Sequence, residues 1–416
     1  MMTVSTRRAG SSAPRRARPR PTHFTGVPRY LLFAWAALFL NVLTPSGAET
    51  VIPLPGGVAQ IVAQGSLLVA LVLALHANPR LVVRPNAFLV LLGILAITSF
   101  VVSLHSEFIV GSVYRGFRFL GFVAVLWLLS PWWGRRDLVL LRAHRLCLWA
   151  VLASVVVGAV LAPGKAFSFD GRLSGTLWPV PPTQVAHYAA VLLGTTVILW
   201  MCRIITGPHA LVAAAVCAAA LVGTHSRTPL LGTVIAAAVA SASLFLGHAR
   251  VRRVSVSSLI GIMAGTLLFA PQLITWLARG QTASEASGLT GRTDVWTDVI
   301  AAPRPPLEQF FGTGLSNKSF DGLAIDSNWI ATYLDQGWFG LLIEVSILLV
   351  LLLAAVTHVR GPRRALALFL IVYCIVASVT ETGLGDASPY LLDLAVAASL
   401  LASPARQVPL PQRRTP

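Results

Sequence analysis

Charge is scarce in this 416-residue chain: 11% of residues are Asp, Glu, Lys or Arg, against 56% hydrophobic. A soluble domain carries roughly 25% charged residues, so an ordinary water-soluble fold is excluded. Lysine is nearly missing, with Lys165 and Lys318 standing against a large excess of Arg. The four cysteines, Cys147, Cys202, Cys217 and Cys374, lie in or at the ends of apolar runs and form no CxxC. That spacing supports neither a disulfide framework nor a thiolate metal site. No D-x-D and no H-E-x-x-H occurs, no cofactor motif is found, and no internal repeat marks a solenoid.

Long apolar runs are what the chain has in abundance. Mean hydropathy is +0.75, and many runs reach the ~20 residues needed to cross about 30 Å of hydrocarbon. Candidate spans fall at about 28–45, 57–77, 87–104, 109–130, 144–162, 185–203, 208–224, 228–247, 255–278, 328–357, 365–380 and 388–402. The expectation is an all-α polytopic membrane protein with about twelve transmembrane helices. A basic, Arg- and Pro-rich segment at 1–27 lacks the apolar content to build a core and reads as a disordered tail. Spans then fill 28–278, a large loop occupies 279–327, further spans fill 328–402, and a short tail runs over 403–416.

The net charge of +17 would point a soluble protein towards nucleic acid. In a membrane protein, Lys and Arg instead collect on the cytoplasmic side. With the N-terminus inside and strict alternation, the inner segments gather 23 basic residues against one acid, Asp137. The spans and outer segments keep nine basic and fourteen acidic residues. Dropping one central span would scramble that separation, so the charges favour both the span count and an N-in, C-in orientation in a lipid bilayer, without a nucleic-acid partner.

The outer basic residues carry the functional reading. They include Arg115, Arg118, Arg172, Arg227 and Arg292. Such residues either bind anionic groups or snorkel to lipid phosphate. Arg227 lies in Thr224-His225-Ser226-Arg227-Thr228-Pro229, where Thr228 suits an N-cap and Pro229 the first helical turn. That would hold Arg227 at the positive end of a helix, a setting that suits a phosphate. Arg292 opens the pattern Arg292, Val295, Trp296, Val299, which places these residues on one face of a short amphipathic helix. An inward Arg there requires an anionic partner, either a structural carboxylate or a ligand. Asp326 precedes the span that begins near Asn328 and serves either as a helix cap or as a carboxylate facing an outer cavity. Glu344 and Asp393 lie inside spans, where an acid is costly and either pairs within the bundle or acts functionally.

These segments resemble the bacterial O-antigen ligase and O-antigen polymerase superfamily of polytopic GT-C-type glycosyltransferases. The layout of most of the chain is similar, and four local stretches carry the likeness. Gly171-Arg172-Leu173-Ser174-Gly175 followed by Pro181-Pro182 is similar to the family's R-x-x-G … P-N, with Pro182-Thr183 in place of Pro-Asn. Arg227 with Leu231 matches R-x3-L, and Gly291-Arg292 with Trp296 resembles G-R-x-x-x-W. Asp326 and Gly337 fall where the ligases carry H-x10-G, with Asp in place of His.

The resemblance implies a donor glycan on a polyprenyl diphosphate, a glycan or lipid acceptor, and an active site on the extracytoplasmic side of the bacterial cytoplasmic membrane. It also implies inversion without a covalent enzyme intermediate, and envelope-assembly proteins as partners. Arg227 and Arg292 would stabilise the leaving diphosphate in place of a metal ion, and Asp326 would act as base or orient the acceptor. Arg115, Arg118, Arg172, His225, Trp296 and Asn328 would line the substrate site. The His-to-Asp change leans the expectation towards a polymerase over a ligase. The rival readings are a transporter or flippase, with its site at mid-membrane on broken helices, and a non-catalytic scaffold.

Overall fold

A computed structural model describes residues 28–43, 49–51, 57–135, 138–245, 247, 249–272, 275 and 292–403. The expected tail at 1–27, most of the tail at 403–416, and the first part of the large loop lie outside the described residues. The described chain is mostly helical, with one short β-hairpin.

The helices are α1 Arg29–Val42, α2 Val58–Ala77, α3 Ala87–Ser103, α4 Ile109–Leu129, α5 Val139–Leu161 and the single turn α6 Pro163–Ala166. Next come α7 Pro182–Met201, α8 Gly207–Gly223, α9 Arg227–Phe245, α10 Ala249–Leu268, α11 Arg292–Ala301 and α12 Pro306–Phe311. A hairpin of β1 Ser319–Phe320 and β2 Leu323–Ala324 leads into α13 Asn328–Thr357, α14 Pro362–Ala377 and α15 Pro389–Leu401.

Each apolar run read as a span overlaps a helix, although part of the run at 255–278 lies outside the described residues. Among the described residues six helices are long and apolar enough to cross a membrane: α2, α4, α5, α7, α9 and α13. The others fall short for physical reasons. α1 has 14 residues and α15 has 13, about 20 Å of helix at 1.5 Å per residue. α10 opens with Arg250, Arg252 and Arg253 in its first turns. Outward faces are strongly apolar, as on α2, where Leu68, Val69 and Val72 are exposed. Exposed patches of this kind mark a membrane or partner surface.

The bundle packs closely where glycine lets helices approach. A Cβ on Gly194 of α7 would sit 1.9 Å from the Phe369 ring of α14, so α14 beds directly onto α7. At the centre, the fully buried Asp393 of α15 meets two imidazoles. His144 Nε2 lies 2.8 Å from Oδ1, and His187 Nε2 lies 3.2 Å from Oδ2. The Trp35 indole N–H donates to His144 Nδ1 at 3.3 Å. Indole is donor-only, so His144 keeps its proton on Nε2, facing the carboxylate. His187 Nδ1 lies 3.1 Å from the Tyr373 hydroxyl. One polar cluster thereby pins α1, α5, α7, α14 and α15 in register.

α13 is broken. Gly337 takes φ 64°, ψ −163° inside it, and a Cβ there would stand 2.4 Å from the Phe310 carbonyl oxygen. Gly312, at φ 81°, is pressed as closely against the Asp335–Gln336 peptide. The end of α12 is thus wedged into the break. The N-terminal part of α13 is directed separately from its long apolar remainder, towards the polar end of the bundle.

Candidate functional site

The polar end is assembled from four connections: the loop before α7, the α8–α9 junction, α11 with the segment before α13, and the α14–α15 loop. In the first, Gly171 at φ 70° and Asp170 at φ 50° turn the chain. Leu173 N–H donates to the Gly223 carbonyl at 2.8 Å. Arg172 Nε donates to the Thr224 carbonyl at 2.9 Å, and its Nη2 donates to Ser226 Oγ at 3.1 Å. The Arg172 loop is therefore laced to the residues just before Arg227.

At the α8–α9 junction, His225 adopts φ 50°, a strained value for a non-glycine residue. It makes the corner that lets α9 start at once. α9 begins at Arg227, one residue ahead of the expected cap. Thr228 is therefore inside the helix, and its hydroxyl meets Thr380 Oγ1 at 2.7 Å instead of capping. Arg227 is half-buried, placed between a residue bonded to Arg172 and one bonded to the neighbour of Glu381.

α11 has the expected face. Val295 and Val299 are buried, packed with Ile325 and Ala331, while Asp294, Thr297, Asp298 and Ala301 are exposed. Arg292 Nε lies 3.0 Å from Asp326 Oδ2, with side-chain exposures of 34% and 41%. Trp296, one turn on, holds its indole Nε1 buried without a hydrogen-bond partner. Arg304 stacks over the Tyr333 ring at 4.2 Å and donates to the Tyr333 carbonyl, which fixes α11 against α13.

The fourth connection holds a residue not anticipated from sequence. Glu381 is half-buried in the α14–α15 loop. Burial raises its pKa to about 7, the Asp326 charge adds to the rise, and Arg292 and Arg172 pull against it. Arg172 is perturbed in turn: burial pulls its pKa below the ordinary guanidinium value, Glu381 and Asp170 oppose the shift, and Arg292 adds to it. Arg172, Arg292, Asp326 and Glu381 thus lie within electrostatic reach of one another, and Arg292 and Asp326 are in direct contact.

Asn328 supports the cluster from beneath. It is 1% exposed, its Nδ2 donates to Glu344 Oε2 at 2.6 Å, and its Oδ1 accepts from Gly383 N and Leu384 N at 3.0 and 2.7 Å. Thr332 donates to the other Glu344 oxygen at 2.8 Å. Asn328, expected among the substrate-binding residues, here clasps the loop that carries Glu381 with its carbonyl oxygen and one amide N–H. Glu344 and Asp393 both prove to be partnered within the bundle. Asp326 is no helix cap either; Ser327 precedes α13, without a side-chain capping bond.

Arg115 and Arg118 are engaged elsewhere. Arg118 donates to Asn41 Oδ1, the Asn41 carbonyl and the Ala387 carbonyl at 3.3, 3.1 and 3.2 Å, bracing α1 and α4 against the loop before α15. Arg115 donates to the Ser316 carbonyl. Both guanidiniums donate to backbone oxygens, and Arg118 to the Asn41 side chain as well.

Among the described residues no group of three His, Cys, Asp or Glu side chains is arranged to hold a metal. The arrangement sets guanidiniums beside carboxylates, with Arg292 paired to Asp326 and the Glu381 pKa raised. No known protein-family model matches the chain, and no curated protein matches it.

Proposed function

We propose that this chain is a glycosyltransferase of the O-antigen ligase and polymerase type, drawing glycan from a polyprenyl diphosphate at the outer face of the bacterial cytoplasmic membrane. In this reading the helices form twelve spans of GT-C type, with both termini inside. The observation that carries it is that Arg172, Arg292, Asp326 and Glu381 lie within electrostatic reach of one another, with Arg292 paired to Asp326 and Arg172 hydrogen-bonded to Ser226, the residue before Arg227. All but Glu381 come from the motif stretches 171–175, 226–231 and 291–296 or from position 326, which are separated in sequence.

The reaction follows from the charges. An acceptor hydroxyl attacks the anomeric carbon, the bond from that carbon to the diphosphate oxygen breaks, and the diphosphate leaves with the electron pair. Arg292, Arg172 and Arg227 hold the oxygens on which charge builds, since guanidinium is permanently charged and matches phosphate in a fork. Asp326 holds Arg292 in place, with Oδ2 already occupied by that guanidinium. The hydroxyl proton goes to Glu381, whose pKa near 7 suits a base at neutral pH. In this reading the Trp296 indole N–H, buried without a hydrogen-bond partner, is a donor for a glycan or phosphate oxygen.

Asp326 in place of the ligase His favours a polymerase. The test is reconstitution with a polyprenyl-diphosphate-linked oligosaccharide in EDTA. A ladder of products is expected; a single transfer to a lipid or protein marks a ligase. Movement of the substrate across the bilayer with no new glycosidic bond overturns the enzyme reading in favour of a flippase.

A further inference from the structure

At the opposite end of the bundle a second charged site stands apart from the one above. α7 runs from Pro182, beside the Arg172 loop, to Met201, about 30 Å away at 1.5 Å per residue. Where α7 ends and α5 begins, a cavity of about 290 Å³ opens. Its walls are Arg142 and Arg145 on α5, with Leu141, Leu199, Ile204 and Ile205. Ligand pockets run from roughly 300 Å³ upward, so the space suits a small headgroup with its first methylenes.

Arg145 is the informative wall. It is half-buried, and Nη2 donates to Thr196 Oγ1 at 3.0 Å. Its Nε is buried with no hydrogen-bond partner. Among the described residues no carboxylate forms a salt bridge with it. A guanidinium withdrawn from water without a counter-charge is costly. An anion entering the cavity would offset that cost and satisfy the open Nε–H. The surroundings are basic as well: the Arg250 guanidinium stacks 4.4 Å from the centre of the Trp200 ring, and Arg203 is exposed one turn on.

The lining chooses between kinds of anion. A freely soluble phosphate gains nothing from the Leu and Ile walls, whereas a phospholipid places its phosphate between the arginines and its methylenes against Leu199, Ile204 and Ile205. Basic pockets between helices at the membrane interface are recognised sites for acidic headgroups. We propose that this cavity is a specific site for an anionic phospholipid, bound through its phosphate by Arg145 and Arg142. The site is independent of the glycosyltransferase reading and would stand without it.

The experiment uses the purified full-length chain in a neutral detergent and titrates phosphatidylglycerol, phosphatidylcholine and inorganic phosphate, read by native mass spectrometry and by melting temperature. Two basic contacts correspond to a preference of about thirtyfold for phosphatidylglycerol over phosphatidylcholine. The expected result is that preference in the native chain, no shift with inorganic phosphate, and loss of the preference in Arg142→Gln/Arg145→Gln. Ile204→Trp, which keeps both arginines and fills the cavity, should lose it too, and decides the matter if the double variant does not fold. Equal binding of the two lipids overturns the site. So does a preference that survives Ile204→Trp or the double variant, since general surface charge would then explain it. Stabilisation by inorganic phosphate equal to that by phosphatidylglycerol replaces the lipid with a soluble anion and also overturns the proposal.

Discussion

Arg292 Nε stands 3.0 Å from Asp326 Oδ2, and both side chains keep about a third or more of their surface in solvent. Exposed pairs of this kind contribute roughly 0–1 kcal/mol to stability. The pair is thus weak as a fastener, and its value lies in holding a guanidinium where an anion can reach it. Arg292→Ala should leave the melting temperature within about 2–4 °C of native and lower the transfer rate by roughly 10²–10³. A thermal melt and a product gel from the reconstituted reaction check both halves.

Arg172 differs, because its two hydrogen bonds to Thr224 and Ser226 also fasten the loop before α7. Arg172→Lys keeps the charge but loses the planar fork. Both stability and turnover should fall, stability by about 1–3 kcal/mol for the unsatisfied carbonyl and hydroxyl. Chemical denaturation in detergent together with rate measurements reads this out.

Glu381 gives a pH prediction. Its folded pKa, about 7, lies above the ordinary Glu value of roughly 4.3. The base form therefore appears as pH rises through 7, and the rate should climb with it and then level off. The sign for stability is opposite. The protonated form is favoured by the fold, so the contribution present at low pH is lost as pH rises from the unfolded value through 7. Glu381→Gln should remove the acid limb of the pH–rate profile, lower the plateau and raise the melting temperature at pH 8. A profile that keeps its limb near 7 in this variant assigns the base elsewhere.

Asn328→Leu should uncouple the clasp. It strands the Gly383 and Leu384 N–H groups and one Glu344 oxygen, at about 1–3 kcal/mol for each group left buried and unpaired. Turnover should drop through displacement of Glu381, while Asn328→Asp, which keeps an acceptor for the two N–H groups, should fold better than the Leu variant below neutral pH. Hydrogen exchange at Gly383 and Leu384 reports the clasp directly.

Asp393→Leu should also be strongly destabilising, because two buried imidazoles and the Trp35 hydrogen bond lose their anchor. Breaking a buried ionic cluster at one member costs about 3–5 kcal/mol. Expression level and melting temperature test it, with no direct effect expected at the outer cluster beyond loss of folded protein.

Much of this architecture was legible in the sequence, since hydropathy marks apolar helices without knowledge of their neighbours. The inward face of α11 was legible for the same reason: Val295 and Val299 recur at helical spacing. Arg172, Arg227 and Arg292 stood out as basic residues in segments otherwise kept acidic. Asp326 was legible as a position and illegible as a partner, because its pairing with Arg292 spans 34 residues of chain. Glu381 went unseen in a short break between two apolar runs, although an acid in a chain so poor in acids was a usable signal. The clasp made by Asn328 was illegible because its neighbours at 383–384 come from a loop that no local pattern ties to it. The break at Gly337 depends on contact with Phe310 and Gly312, again a matter of tertiary packing.

The central claim is that the arginines of the polar end grip a diphosphate. The direct measurement is equilibrium binding of a sugar-free polyprenyl diphosphate to the purified chain, compared with Arg172→Ala/Arg292→Ala and with polyprenol as the uncharged control. The account predicts tight binding by the native chain, weaker by roughly a hundredfold or more in the double variant at an unchanged fold, and equal, weak binding of the polyprenol by both. Binding of the diphosphate unaltered by loss of both arginines would contradict it.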